Sequence, residues 1–445
     1  MCFAGKEQLI SNGVTEEIKK KRRLLLTLLS DVLKSIDPYN AVSSHIKNST
    51  FYIQNKTIET SRFNNIFVVA FGKGSVGMTQ AVCDHIPITK GIVITNDPKG
   101  FIHHPHVETI VGGHPLPNEQ SIDGAKKAHQ LLTNCEPDDL VIILISGGGS
   151  ALLASPRISL SDLQKTTKLL LASGATIQEI NTIRKHVSTV KGGQLIQSLP
   201  CQVISLIVSD VVGDPLEFIA SGPTVGDTTN FTDAHSILLQ YNLWDEIPDA
   251  TRKVIEQGKN GLLPETPFPD DPVFTHVTNQ IIANNSLACE TAFSRAKKLG
   301  FYPLILTTQM TGEARKIGPK LLEKAMRLHR DQNVNIFISG GEPTVTLKGN
   351  GRGGRNQELV LSVIKELDET TAVFCSFGTD GIDGMSPAAG AIADGFTLKR
   401  AIQNDLDIDF YLNNNDSFTF FNKLQDTIIT EPTGTNVMDI QILIL

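Results

Sequence analysis

The sequence predicts a two-domain α/β protein whose strands form parallel sheet covered by helices on both faces. Three observations carry this. Short β-branched runs recur, and several lead straight into glycine or a polar turn. Ile66–Phe71 runs into Gly72, Ile92–Thr95 into Asn96-Asp97, Leu140–Ile145 into Ser146 and three glycines, and Val203–Val208 into Ser209-Asp210. Further on, Ile281–Ala283, Leu304–Leu306, Ile336–Ile338 and Thr371–Phe374 repeat the style. Amphipathic helical stretches lie between them, at Glu119–Leu132, Leu160–Ala172, Ser286–Leu299 and Gln357–Leu367. Fully apolar strands alternating with helices belong in parallel sheet buried on both sides. Finally, 445 residues imply two to three domains at ~150 residues each. The stretch 259–274, with four prolines, Gly and Asp, resists any helix or central strand. The expected division is therefore 1–260 and 270–445, the last strand being free to return to the N-terminal domain.

The first element is a helix over 15–36, with Ile18, Leu25, Leu28, Leu29, Val32 and Leu33 on one stripe and Asp37-Pro38 to stop it. No apolar run approaches the ~18 residues of a membrane span. The N-terminus carries Lys6, Glu7, Glu16 and Glu17, unlike a transit peptide. Cys2, Cys83, Cys135, Cys201, Cys289 and Cys375 include no CxxC pair and make no disulfide framework. A reducing, cytoplasmic setting is expected. The net charge of -7 does not suit nucleic acid or an acidic membrane, which call for clustered Lys and Arg.

Glycine is enriched, at 36 residues against a usual ~7%, and it clusters at strand ends, where parallel sheets bind ligands. Gly72, Gly74 and Gly77 satisfy GxGxxG after a strand, with Lys73 and Ser75 inside the loop and Asp97 about 20 residues on. Three readings compete: a tight turn, a dinucleotide site, or a phosphate held by backbone N–H groups with Lys73 as counter-charge. No GxxxxGK[ST] occurs, which excludes a P-loop kinase. Ser146, Gly147, Gly148, Gly149 and Ser150 allow close approach of an anion. Asn181, Arg184 and Lys185 share a helical face ahead of Lys191. That face is either solvated or uses Arg184 as a carboxylate fork. Asp210 and Asp214 stand where carboxylates bind Mg²⁺, or cap a turn. Arg352 and Arg355 lie in a glycine loop, after an expected strand Thr344–Leu347, and form either an anion clamp or a mobile loop. Asp380 and Asp383 suit a metal or a general base, without the ladder of a calcium loop. His103, His104 and His106 lack ligand partners for zinc. His114 sits on a turn. No GxSxG is present, so a nucleophile elbow has no support.

Taken in order, AFGKGS (70–75), GGHPLPNEQS (112–121), SGGGSALL (146–153), NTIRKHVSTVKGG (181–193), SDVVGDPLEFIASGPT (209–224), ISGGEPTVTLKGNGRGGRNQE (338–358), GTDGIDG (378–384), NDSFTFF (415–421) and PTGTNV (432–437) resemble the glycerate 2-kinase family. The resemblance spans nearly the whole chain. It implies a Rossmann-like three-layer α/β/α N-terminal domain, a smaller α/β domain of the MOFRL type, and an active site in the cleft between them. It also implies ATP-dependent phosphorylation of D-glycerate, typically at the 2-hydroxyl, with Mg²⁺. Lys73 and Arg355 match the family's phosphoryl-transfer residues. Ser386-Pro387 stands where the family commonly has Thr-Asp, and Glu431 replaces a glycine.

The expected roles follow from joining the two lines. Lys73 and Arg355 neutralise the γ-phosphoryl, and Asp380 orients the attacking hydroxyl. Arg184 or Arg352, with Ser146 and Asn181, holds glycerate. Gly72, Gly74, Ser75, the residues 147–150 and Lys191 hold nucleotide phosphates, and Asp210 or Asp214 holds Mg²⁺. The rival readings are an NAD(P)H-dependent hydroxypyruvate reductase using the first glycine loop, and a phosphosugar- or carboxylate-sensing module. A homodimer is compatible with the sequence, which does not settle oligomeric state.

Overall fold

The computed structural model describes residues 3–445; Cys2 lies outside them. The chain packs as two compact units. One is 38–282, and the other joins residues up to 37 with 283–445.

The first unit opens with a small antiparallel meander, β1 (Ile46–Lys47), β2 (Thr50–Ile53) and β3 (Lys56–Glu59). Its main sheet comprises β4 (Ile66–Phe71), β5 (Lys90–Thr95), β6 (Val107–Val111), β7 (Leu140–Ile145), β8 (Gln202–Val208) and β9 (Val277–Ala283). The spatial order is β6-β5-β4-β7-β8-β9. Counted from β4 this is 3-2-1-4-5-6, the order of dinucleotide-binding folds. β4, β5, β6, β7 and β8 pair in parallel. The order reverses between β4 and β7, so the loops after these two strands flank the crevice where such sheets bind ligands. Every residue of β7 is buried, as its unbroken apolar run requires. β6, a half-exposed strand at the sheet edge, escaped prediction because its Val-Glu-Thr-Ile-Val sequence lacks that run.

The proline-rich stretch is not where the packing divides. Asp227 donates its N–H to the Pro267 carbonyl (2.9 Å), and the segment leads into β9 at the edge of the same sheet. Extended prolines still offer carbonyl acceptors, so such a segment can line a domain rather than link two.

The second unit claims the N-terminal helix Glu16–Ser35, capped by Thr15, whose hydroxyl accepts from the Ile18 N–H. Arg22 on this helix is fully buried. Its guanidinium donates to Asp394 and Asp426, each at 2.7 Å. An unpaired buried cation would be strongly destabilising, so these distant carboxylates tie the helix to the C-terminal residues, a pairing no local pattern announces.

This unit's sheet comprises β10 (Pro303–Met310), β11 (Ile336–Gly341), β12 (Val373–Gly378), β13 (Gly390–Asp394), β14 (Thr427–Ile428) and β15 (Asp439–Ile444), in the order β10-β11-β15-β12-β13-β14. Here the expectation of parallel sheet is corrected. β10 and β11 are parallel, but β15 runs antiparallel to both β11 and β12, and β13 and β14 continue antiparallel. A strand buried on both faces reads as an apolar run in either orientation. The last strand does not return to the N-terminal domain: β15 is central and wholly buried. Thr344–Leu347 is no strand, for only Thr344 forms a bridge, to Glu313. The Thr346 N–H is taken by the Glu313 carboxylate instead (3.0 Å). The helix expected over Gln357–Leu367 breaks into Arg355–Leu361 and Ile364–Leu367. Phe337, Phe374, Phe420 and Phe421 fill the core beside this sheet.

Candidate active site

The first glycine loop turns β4 into the helix Ser75–His85. Gly72 has φ 121°, a region closed to side chains, and a Cβ there would overlap the Ser146 hydroxyl. The loop spends its own backbone donors. Gly72 N–H goes to Ile94 O (3.2 Å), Lys73 N–H to Gly147 O (2.8 Å) and Ser75 N–H to Gly72 O (3.2 Å). Gly74 N–H goes to Ser146 Oγ (2.9 Å). The phosphate-gripping backbone expected of Gly72, Gly74 and Ser75 is thus engaged internally. Ser146, buried at the end of β7, is a strut between two glycine loops.

The second glycine loop keeps its donors. Among the described residues nothing accepts from the N–H groups of Gly147 and Gly148. Gly148 has φ 83°, and a Cβ there would lie 2.9 Å from the His114 ring and 3.6 Å from Lys73 Cγ. His114 and Lys73 therefore both border this glycine. Burial, then the Lys73 charge, lowers the His114 pKa. Ser150 Oγ pairs with Ser221 Oγ (2.9 Å), which also donates to Asn181 Oδ1 (3.1 Å). Asn181 is buried, so it braces Ser150 through Ser221.

The helix Ile177–His186 does not carry a solvated basic face. Lys185 is buried in ion pairs with Asp227 (3.1 Å) and Glu217 (3.7 Å). Arg184 turns instead into a cavity of 480 Å³, which Lys191, Ser150, Gly148 and His114 also line. Burial lowers the Arg184 pKa. Lys191 donates to Ser150 O (2.8 Å) and Leu153 O (3.4 Å). Burial, with Arg184 adding repulsion, pushes its pKa down to about 7.

Asp210 follows β8, and its carboxylate lies against Gly147, where a Cβ would overlap it. Asp214 ends the next turn with φ 57° and its N–H on Val211 O (3.1 Å). In this unit Lys73, Ser146, Gly147, Gly148, Ser150, Arg184, Lys191 and Asp210 thus gather at the crevice and the adjoining cavity, while Asn181 acts through Ser221.

In the second unit, Arg355 opens the helix Arg355–Leu361. It grips the buried Asp439 with two parallel bonds, Nε to Oδ2 (2.6 Å) and Nη2 to Oδ1 (3.0 Å), and reaches Glu342 at 2.9 Å. Burial alone would lower its pKa, but the Asp439 bonds and charge, with Glu342, hold it above the ordinary arginine value. Asp380 lies near enough for its charge to act on Asp439, so the structure groups Arg355 and Asp380. Arg352 stacks on Phe418 at 5.0 Å. Asp383 is no base. It accepts from the N–H groups of Asn356 (3.0 Å) and Gln357 (2.9 Å), capping the helix, and burial pushes its carboxyl up to about 6.

Two family profiles match the chain: a domain of unknown function, DUF4147, over residues 24–256, and the MOFRL family over 335–439. The glycerate 2-kinase of Pyrococcus horikoshii is 42% identical over 433 residues, covering 95% of this chain and 97% of that protein. The chain belongs to the glycerate kinase family. The crystal structure of glycerate kinase from Thermotoga maritima superposes with a TM-score of 0.85 at 35% identity, covering 96% of this chain and all of that one (100%). A family relative in Agrobacterium vitis, 40% identical over 397 residues and covering 85% of this chain and 86% of its own, bears a provisional hydroxypyruvate reductase name.

Within this glycerate kinase fold, sequence reasoning missed Asp439 and Glu342, the partners that aim Arg355. Asp439 had one signal, a lone carboxylate bordering an apolar strand, which it precedes as Asp210 follows one. Among the described residues no helix is long and apolar enough to cross a membrane.

Proposed function

We propose that this protein transfers the γ-phosphoryl group of ATP to D-glycerate, at the 2-hydroxyl. One observation carries the choice over the reductase: the backbone donors of residues 72–75 are engaged within the fold. A dinucleotide would need them for its pyrophosphate. Asp97, which the reductase would place on a ribose, instead turns its carboxylate onto the Lys99 N–H (2.9 Å). A lysine carried by this loop suits phosphoryl transfer, where catalysis is mostly positioning and charge neutralisation.

In this reading Lys73 draws negative charge from the transferring group, and the open N–H groups of Gly147 and Gly148 hold phosphate oxygens. Arg355 supplies a second cation, fixed in direction by Asp439 and Glu342. Arg184 or Arg352 binds the glycerate carboxylate, and Asp380 orients the attacking hydroxyl. Asp210 or Asp214 would hold a magnesium ion, which would supply positive charge to the phosphate oxygens. It prefers one or two carboxylates plus substrate phosphates, and the hard oxygens of Asp210 and Asp214 fit that mode.

The test is incubation with D-glycerate and Mg-ATP, with ADP release coupled to a phosphorus NMR spectrum of the product. ADP and 2-phosphoglycerate are expected. NADH oxidation with hydroxypyruvate and no ADP would overturn the reading, and a 3-phosphoglycerate signal would overturn its regiochemistry.

A further inference from the structure

The 480 Å³ cavity of the first unit is large for a three-carbon acid and within the range of about 300–1,000 Å³ that holds drug-sized ligands. Leu116 and Pro117 of the turn after His114, and Leu163 and Leu171 of the helix Leu160–Ala172, line it. These walls are pinned together, for Gln164 Nε2 donates to Pro117 O (2.9 Å). Leu171 is 61% exposed on this rim, an apolar surface with no cover from its own unit.

Two basic side chains, Arg184 and Lys191, line the same cavity. Arg184 is half-buried, and among the described residues no carboxylate pairs with it. The Lys191 amine has two carbonyl acceptors, Ser150 O and Leu153 O. The third hydrogen of an ammonium would need a further acceptor. Gly148 also lines the cavity with an N–H that no backbone acceptor takes, and its place beside Lys73 continues the path from the cavity to the loop of the phosphoryl-transfer lysine. A cavity that combines apolar walls with basic side chains and a backbone N–H suits a nucleotide, with an apolar base and anionic phosphates.

We propose that this cavity is the nucleoside subsite of the enzyme: the base and ribose lie between the 114–117 turn and the helix Leu160–Ala172, and the phosphates run past Arg184, Lys191 and Gly148 toward Lys73. The inference rests on the phosphotransferase reading and moves Arg184 from the acceptor to the donor nucleotide.

The test compares Leu171→Asp and Arg184→Met with the natural protein, using Mg-ADP and inorganic tripolyphosphate in binding calorimetry and ATP and D-glycerate in turnover. Leu171→Asp alters an exposed side chain and should fold. It should weaken ADP about tenfold or more, as loss of base contact does elsewhere, and leave tripolyphosphate unchanged. Arg184→Met should weaken both ligands. In turnover both variants should raise KM for ATP and not KM for D-glycerate. A rise in KM for D-glycerate alone would make the cavity the acceptor site and overturn the proposal, as would unchanged ADP affinity in Leu171→Asp. If the natural protein phosphorylates no glycerate yet binds ADP, and Leu171→Asp weakens that binding, the subsite stands while the reaction assignment fails.

Discussion

Replacing Lys191 with Met should remove a pH dependence that the natural fold carries. The amine is buried against Arg184, and its pKa falls from 10.5 to about 7. Between those values the unfolded chain holds a proton that the folded chain lacks. Unfolding then takes up a proton, so raising the pH opposes it, and stability climbs across this window. Below about pH 7 both states are protonated and the cost of burying the ammonium is complete. One proton corresponds to roughly 1.4 kcal/mol per pH unit, so from pH 7.5 to 9.5 the natural protein should gain roughly 3 kcal/mol relative to Lys191→Met. Met keeps the length of the stem but gives up the bonds to Ser150 O and Leu153 O. That loss is a constant offset of roughly 1–3 kcal/mol and leaves the slope difference intact. Urea unfolding followed by the fluorescence of Trp244, the single tryptophan, in the same unit, reads the effect at each pH. Other lysines titrate identically in both proteins and cancel. Equal pH slopes for the two would refute a displaced Lys191 proton.

Other predictions test neighbouring parts of the argument. Lys73→Ala should fold normally by circular dichroism yet lose kcat by about 10²–10³, the scale of removing one transition-state donor. Near-normal turnover would sink its role. Gly72→Ala should destabilise by about 2–5 kcal/mol, adding an unfavourable positive φ to overpacking against Ser146; urea midpoints measure it. Asp439→Asn should free the Arg355 fork and lower kcat at least tenfold, on the scale of a charge-assisted bond of about 1.5–3 kcal/mol. Steady-state kinetics check it, with Arg355→Lys expected to show a similar loss because a lysine cannot make the paired bonds. If the cavity takes phosphates, ADP binding at pH 8 should draw a proton onto Lys191. Calorimetry in buffers of different ionisation enthalpy would then show proton uptake, and its absence would place the phosphates elsewhere.

Much of the first unit was legible. Leu140–Ile145 and Ile66–Phe71 begin and end where predicted, because an apolar run bounded by glycine admits few alternatives. The helix Glu16–Ser35 was legible from its stripe, but its membership of the other unit was not, since the Arg22 partners lie more than 370 positions away. The sheet direction in the second unit was hidden for a different reason: burial on both faces erases the alternation that marks antiparallel strands. At the site, Lys73 and the glycine triplet were visible as residue types in a context. Which glycine N–H groups were still open was not, because Ser146 and Gly147, about 70 residues later, consume those of the first loop.

By itself the sequence determined where strands turn into glycine loops, which cations stand in them, and which family the whole chain resembles. These are local properties, set by backbone freedom at glycine and by side-chain chemistry. Only the tertiary structure decided what each group does. It made Lys185 a buried ion pair, Asp383 a helix cap and Asn181 a brace, while Arg184 and Lys191 were left facing a cavity. The physical reason is satisfaction: a polar group is available to a ligand only when no distant part of the chain has already met its hydrogen-bonding or charge requirement, and that is settled by packing.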